Sequence, residues 1–326
     1  MTAPAVKYRV PARHRLSAFR FWHEVVLFGL LMGLFMYAAV FVPSFVDFGS
    51  QLGLSLKIWE LALVTLPMTM IIITAGIDLS VGSTVGLAAV VLGKCFTTHA
   101  PMSICIAAAL ATGAAAGALN GLFITKVRVH PLIVTLATLA AYRGIAIGVT
   151  GGYPVSGFPA SFLNIATAAP LGFTAPGLVV IGATIFTAIV LALTPFGRSL
   201  YAMGFNETAA RFSGIPTGGI KLFLYTLSGF VSALAAVIYV ARFNTAKADL
   251  GTGLELGVIT AVVLGGVSIF GGRGTVVGVA LGVLLIHEVQ QLIPWQTNHS
   301  ELNSLAVGAL LIGSVLINSV LTARRR

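Results

Sequence analysis

The chain has 326 residues, of which 57% are hydrophobic and only 9% charged, and its mean hydropathy is +1.00. A soluble domain carries about a quarter charged residues, so these figures exclude a soluble globular protein and indicate a helical membrane protein. The net charge of +10 raises nucleic acid as a partner, but the lysines and arginines sit in short polar segments between apolar runs and share no soluble face. No nucleic acid is therefore expected, and the surrounding partner is membrane lipid.

Residues 1–21 are a basic segment with Lys7, Arg9, Arg13, Arg15 and Arg20. A full span follows without an A-x-A-type cleavage site, so the segment reads as a retained cytoplasmic leader and not as a removed signal peptide. A transmembrane domain then occupies 22–321, and 322–326 form a basic cytoplasmic tail. A span takes about 20 apolar residues to cross a hydrocarbon core roughly 30 Å thick. Ten segments are drawn, at 22–42, 58–75, 81–96, 102–124, 132–149, 177–193, 220–241, 256–269, 276–293 and 302–321. The third, sixth and eighth are short for a perpendicular crossing, so a re-entrant or broken span is expected among them. The expected fold is thus an all-α polytopic membrane protein of about ten transmembrane helices.

Lysine and arginine favour cytoplasmic loops. With the N-terminus inside, the inner side receives the leader and tail cations and also Lys126, Arg128, Arg198, Arg211, Lys221 and Arg273. The outer side receives Lys57, Lys94, Arg242 and Lys247, while Arg143 falls inside a span. An even span count then places both termini in the cytoplasm. Trp22, Trp59 and Trp295 all fall at the ends of apolar runs, where an amphipathic ring prefers the interface.

The run 74–83 (TAGIDLSVGS) interrupts two apolar segments. Gly76 and Gly82 flank Asp78, and Ser80 and Ser83 follow. Two readings stand: Asp78 is an N-cap for the third span at the membrane boundary, or the run is a broken, gate-forming hinge beside a transport path. A charge near the bilayer is expensive and by default faces a cavity, a partner or the interface. Cys95 and Cys105 have neither metal-site spacing nor a disulfide framework and read as small hydrophobes. Gly113, Gly117 and Gly121 repeat every four residues, as do Gly274, Gly278 and Gly282. Small residues on one face let helices approach closely in lipid.

The segment 150–174 is rich in glycine and proline and poor in charge; it suits an outer gate, a docking surface or neither. The segment 194–219 is long, polar and well punctuated. Asn206 is a good N-cap, Glu207 lies in the first turn, Gly214 is a natural residue just past a helix end, and Pro216 stops the chain. Glu207 and Arg211 are four apart and can pair on one face. This predicts a short capped helix outside the bilayer, between the sixth and seventh spans, which docks a cytosolic partner. Further on, 274–278 (GTVVG) echoes 82–86 (GSTVG), a weak internal similarity between spans of the same direction. His287-Glu288 lacks the H-E-x-x-H pattern, so no enzymatic or metal site is expected.

On four segments the chain resembles the permease family of ATP-binding-cassette importers for ribose, xylose, arabinose, rhamnose and related sugars. They are 75–87 (AGIDLSVGSTVGL), 117–139 (GALNGLFITKVRVHPLIVTLATL), 196–216 (FGRSLYAMGFNETAARFSGIP) and 259–279 (ITAVVLGGVSIFGGRGTVVGV). The resemblance runs from the first span onward, and 157–162, 209–216 and 249–251 look closest to the rhamnose and autoinducer-2 branches. It implies a pair of permeases, identical or paralogous, a pair of cytosolic ATPases and a sugar-binding protein in the periplasm or outside the cell. It also implies that 207–214 is the coupling helix, with Asn206, Glu207, Ala209, Ala210, Arg211, Phe212, Ser213 and Gly214 as coupling residues. The sequence departs from the family at Ala75, where many members have glycine, a change that stiffens the chain before Asp78.

No Gly-x-x-x-x-Gly-Lys-Ser/Thr phosphate loop occurs, so this chain needs no cofactor of its own, and ATP with magnesium belongs on the partner ATPase. The expected function is a transport subunit of the bacterial inner membrane that moves a pentose, deoxyhexose or similar sugar inward by alternating access. Asp78, Ser80, Ser83 and Asn120 are the candidates to line or gate the path. The alternative is an ion-coupled secondary sugar transporter, for which Asp78, Glu288 and Arg143 are the available intramembrane groups.

Overall fold

The computed structural model describes residues 22–168, 174–296 and 301–323, with side chains to Leu316 in the last stretch. The basic leader 1–21, the last three arginines of the tail and part of the loop 150–174 lie outside the described residues. The chain runs α1 (Trp22–Phe41), α2 (Phe48–Ser55), α3 (Trp59–Ile73), α4 (Val81–Thr97), α5 (Met102–Leu122) and α6 (Pro131–Thr150). It continues through β1 (Val155–Ser156), α7 (Ala160–Thr167), α8 (Ala175–Leu193), α9 (Pro195–Phe205), α10 (Glu207–Phe212) and α11 (Thr217–Phe243). It ends with β2 (Thr245–Ala246), α12 (Leu254–Leu264), α13 (Val276–Gln296) and α14 (Glu301–Ala323).

Each of the ten expected segments contains a helix. Six helices of the described residues are long and apolar enough to cross a membrane, and α2 with α3, bent by 52°, forms a seventh candidate. The short third and eighth segments are α4 and α12, of 17 and 11 residues. At about 1.5 Å per residue, α12 covers only about half of a bilayer core. The sixth segment, by contrast, is α8 with 19 residues and is long enough. The polytopic all-α membrane class therefore holds, with its break points at α2–α3, α3–α4 and α12–α13.

Large apolar side chains stand exposed on outward faces, among them Phe28 and Met36 on α1, Ile133 and Ile145 on α6, and Ile185 and Phe186 on α8. Water does not tolerate such a surface at this density; lipid does. α11 is the central helix, packed on α5, α3 and α4. The close approach to α5 depends on missing side chains. A Cβ at Gly117 would meet the Tyr225 carbonyl, and one at Gly113 would meet the carbonyl of Gly229, itself pressed against Gly113 and Gly117. Gly278 and Gly282 sit in the same way against Ala261 of α12 and Gly265 just past its end.

The connecting ends fall into two groups. One holds α10, the C-terminal ends of α3, α5 and α12 and the N-terminal ends of α4, α6 and α13, and it carries Lys126, Arg128, Arg198, Arg211, Lys221 and Arg273. The other carries Lys57, Lys94, Arg242 and Lys247. In that second group β1 and β2 pair antiparallel, Val155 opposite Ala246 and Ser156 opposite Thr245. The Asn244 side chain accepts from Phe158 N at 2.8 Å, and Phe158 packs against Phe96 and Phe162. The loop 150–174 is thus folded down in its described part.

Candidate functional site

α9 and α10 form an elbow on one end of the bundle. Thr194 opens α9 by accepting from Gly197 N at 3.1 Å, with Pro195 in the first turn, where its missing N–H costs nothing. Asn206 then breaks the helix in an extended conformation, and its Oδ1 accepts from Ala209 N at 2.9 Å to start α10. Gly214 ends it at φ +85°, a conformation suited to glycine, with Gly214 N donating to Arg211 O at 3.1 Å. Glu207 is held by Lys221 at 2.6 Å and by Arg211 at 3.4 Å. Ser213 Oγ donates to Ala209 O at 3.0 Å. Ala210 is buried at the root of the turn, while Ala209, Arg211, Ser213 and Gly214 are exposed and Phe212, 89% accessible, stands out as a bare ring. Phe205, 67% accessible, stands beside the elbow. α9, Phe205 and Lys221 were not anticipated; Thr194-Pro195 was the readable signal for the first.

The root of the elbow touches two of the three breaks, α3–α4 and α12–α13. Gly204 lies so close to Ile73 O and Gly272 N that no side chain fits there. Gly272 N donates to Ile73 O at 2.9 Å, and Tyr201 OH donates to Gly274 O at 2.9 Å. One short helix is therefore pressed at once on the end of α3 and on the loop joining α12 to α13. The tip of α1 braces that same loop: His23 Nε2 hydrogen-bonds Leu264 O at 2.8 Å, and Thr275 Oγ1 donates to Glu24 at 2.9 Å.

The α3–α4 break places Asp78 beneath the elbow. The N-cap of α4 is Ser80, which makes no side-chain cap bond, so the reading of Asp78 as an N-cap is corrected. Asp78 Oδ1 instead accepts from Ser80 N at 3.0 Å and Ser80 Oγ at 2.6 Å, and Oδ2 accepts from Ser228 Oγ on α11 at 2.8 Å. Asn120 Nδ2 on α5 donates to Ser80 Oγ at 2.8 Å, and Tyr142 OH on α6 lies 3.3 Å from Asn120 Oδ1. Ser83 Oγ donates to Ser80 O at 2.9 Å. The four path candidates Asp78, Ser80, Ser83 and Asn120 thus meet in one cluster, each at most 1% exposed. A buried carboxylate demands such satisfaction. Ser228 and Tyr142 complete the cluster and were missed, since neither stands near Asp78 in sequence.

Arg143 also turns to uncharged partners, donating to the carbonyls of Ala248 and Leu250. Among the described residues no three His, Cys, Asp or Glu side chains are grouped to hold a metal.

The fold is a polytopic bundle with broken helices and a capped, exposed elbow, and comparison with known proteins gives its family. The permease component of the branched-chain amino acid transport system matches residues 50–315. The autoinducer 2 import system permease protein LsrD of Yersinia enterocolitica is 37% identical over 255 residues, 76% of this chain and 77% of that one. LsrD of Yersinia pseudotuberculosis and of Yersinia pestis are each 35% identical over 292 residues, 88% of this chain and 85% of theirs. No solved structure matches the chain. The chain belongs to the permease family of ATP-binding-cassette sugar importers, within its autoinducer-2 branch, and is a multi-pass inner-membrane transport subunit.

Proposed function

We propose that this chain is the membrane path of an ATP-driven importer for a small sugar-like furanose, of the kind named for its LsrD relatives. The α10 end faces the cytoplasm, as does each terminus, because the described cations concentrate at that end. A separate ATPase, which holds ATP and magnesium, docks on the elbow at Phe205 and Phe212 and around the Glu207 ion pairs. A second permease, identical or paralogous, completes the channel, and a soluble binding protein delivers the substrate to the opposite end.

The single observation behind this reading is the contact of Gly204 and Tyr201 with the α3–α4 and α12–α13 breaks. A push on an exposed elbow with so little compliance at its root must move the ends of α3 and α12. The Asp78 cluster is then the joint about which α4, α5, α6 and α11 shift as the path changes sides. This gives Asp78, Ser80, Ser83 and Asn120 a gating role without exposure to substrate. An ion-coupled mechanism has less to work with, because Asp78 and Arg143 are each engaged by uncharged partners, and of its three candidate groups only Glu288 keeps a buried unpartnered oxygen.

The test is uptake of autoinducer 2 into proteoliposomes that contain the permeases and the ATPase, with binding protein outside. Uptake should require ATP hydrolysis and survive collapse of the proton gradient. Uptake without hydrolysis, or cysteine labelling that places Gly214 on the outer side, would sink the proposal.

A further inference from the structure

On the elbow side of the bundle, a cavity of about 550 Å³ opens where one membrane-crossing stretch, Met102–Val127, ends and two others, Pro131–Thr150 and Thr217–Phe243, begin. Walls made from the ends of three spans lie at the depth of the lipid headgroups. Glu207 and Arg211 of α10 close the cavity on its fourth side. Phe205 and Phe212, the bare rings of the elbow, take no part in the lining, so the cavity is separate from the exposed tip.

The lining is basic. Arg128, Arg211 and Lys221 stand against one carboxylate, Glu207, which Lys221 holds at 2.6 Å and Arg211 at 3.4 Å. Three cations against one anion leave a surplus of two positive charges, and His130 is the remaining titratable group of the wall. The Arg128 guanidinium is exposed and has no partner among the described residues. Its backbone sits at φ +62°, closing the single π-type turn Phe123–Val127, a conformation that costs a residue with a Cβ. α11 starts in the same cavity without a side-chain cap, and its first N–H groups add partial positive charge there.

Beside this charge the surface turns apolar. Leu119, Phe123 and Val127 follow one another at four-residue spacing and are 43%, 42% and 61% exposed, and Ile133 on the first turn of α6 is 63% exposed. Residues four apart share a helix face, so an outward ridge of the kind that meets acyl chains runs up to the cavity. We infer that the cavity seats the phosphate headgroup of an anionic phospholipid, with its chains along that ridge. Basic pockets at the ends of spans suit such headgroups. The depth and the ridge favour a lipid over an acidic segment of the ATPase, which would need neither. Because Arg211 and Lys221 also hold Glu207, a headgroup seated here ties the elbow to the turn between α5 and α6. The inference goes beyond the importer reading and stands whichever solute is carried.

The test uses the full-length permease, purified in detergent and stripped of lipid, with phosphatidylglycerol, phosphatidylcholine and inorganic phosphate as probes. Phosphatidylglycerol should raise the melting temperature of the wild type, and the other two should not. Arg128→Asn removes the charge but keeps a residue that tolerates the left-handed backbone, so without lipid it should melt as the wild type does. It should bind phosphatidylglycerol about fivefold more weakly, the loss of one cation beside the headgroup, while Arg128→Lys should keep most of the binding. Equal stabilisation by phosphatidylcholine would leave only the apolar ridge, and stabilisation by phosphate would make this a free-anion site; either overturns the proposal. So does an unchanged affinity in Arg128→Asn, including the case in which that variant instead loses its ATPase on copurification. Native mass spectrometry of wild type drawn from vesicles of phosphatidylethanolamine and phosphatidylglycerol in equal amounts decides the matter even if the variants fail to fold. Enrichment of retained phosphatidylglycerol supports the site, and no enrichment sinks it.

Discussion

The bundle buries two acidic residues on neighbouring segments and treats them in opposite ways. Asp78, between α3 and α4, is surrounded by neutral donors, and both of its oxygens are used. Glu60, in the first turn of α3, has a cationic partner, Arg242, and yet each of the two keeps one buried atom unpartnered. The first ties four helices; the second is a single ion pair. Satisfied polar groups rigidify a core, whereas unsatisfied ones weaken it. The difference separates a closed polar joint from an ion pair left partly unsatisfied, although both rest on a buried carboxylate.

The largest effect that can break this contrast is expected at the joint. Asp78→Leu strands the Ser80 N–H and the hydroxyls of Ser80 and Ser228 in a dry site, at a cost of about 3 kcal/mol. Purified protein in detergent should melt far lower or fail to accumulate, while Asp78→Asn, which keeps acceptor oxygen, should lose less. If Asp78→Leu folds with an unchanged melting temperature, the joint does not hold the break together.

The elbow root comes next. Gly204→Leu places a branched side chain against Ile73 O and Gly272 N, and overpacking of this kind costs about 1–3 kcal/mol. Its sharper consequence is functional. The exposed face of α10 is untouched, so the ATPase should still copurify, while ATP-driven uptake falls severely. Retained uptake would mean that motion reaches the breaks by another route. A smaller effect is expected at Gly214, where φ is +85°. Gly214→Ala should weaken the end of α10 by about 1 kcal/mol and lower uptake partially, read as slower transport at saturating ATP.

Much of this organisation was legible in the chain because its physics is local. Apolar runs mark helices, and Asn206, Gly214 and Pro216 mark a capped turn within a few residues. Glycines at four-residue spacing announced close helix contacts, now seen between Gly113, Gly117 and α11. What could not be read is what three dimensions bring together. Ser228 is 150 positions from Asp78, and Arg242 stands far along the chain from Glu60, so neither the closed joint nor the ion pair has a signature in spacing. Of the two readings open for Asp78, the N-cap does not hold for a related reason: the residue type suited it, but the turn before α4 hands that place to Ser80.

The smallest expected effect probes how tightly the joint is set. Ala75 lies at φ +61°, in the left-handed region that costs a residue with a Cβ about 1–2 kcal/mol. Glycine would relieve that strain but would enter the fold from a more flexible unfolded chain, at a cost of about 0.5–1 kcal/mol. The two terms oppose each other and leave a net gain of about 0.5 kcal/mol, so Ala75→Gly should raise the melting temperature by only about 1–2 °C. The Ala75 methyl also sits beside Gly271, in the loop that the elbow presses. A fall in melting temperature would therefore show that this contact outweighs the backbone strain, and that alanine here fastens the α3–α4 break to the α12–α13 loop.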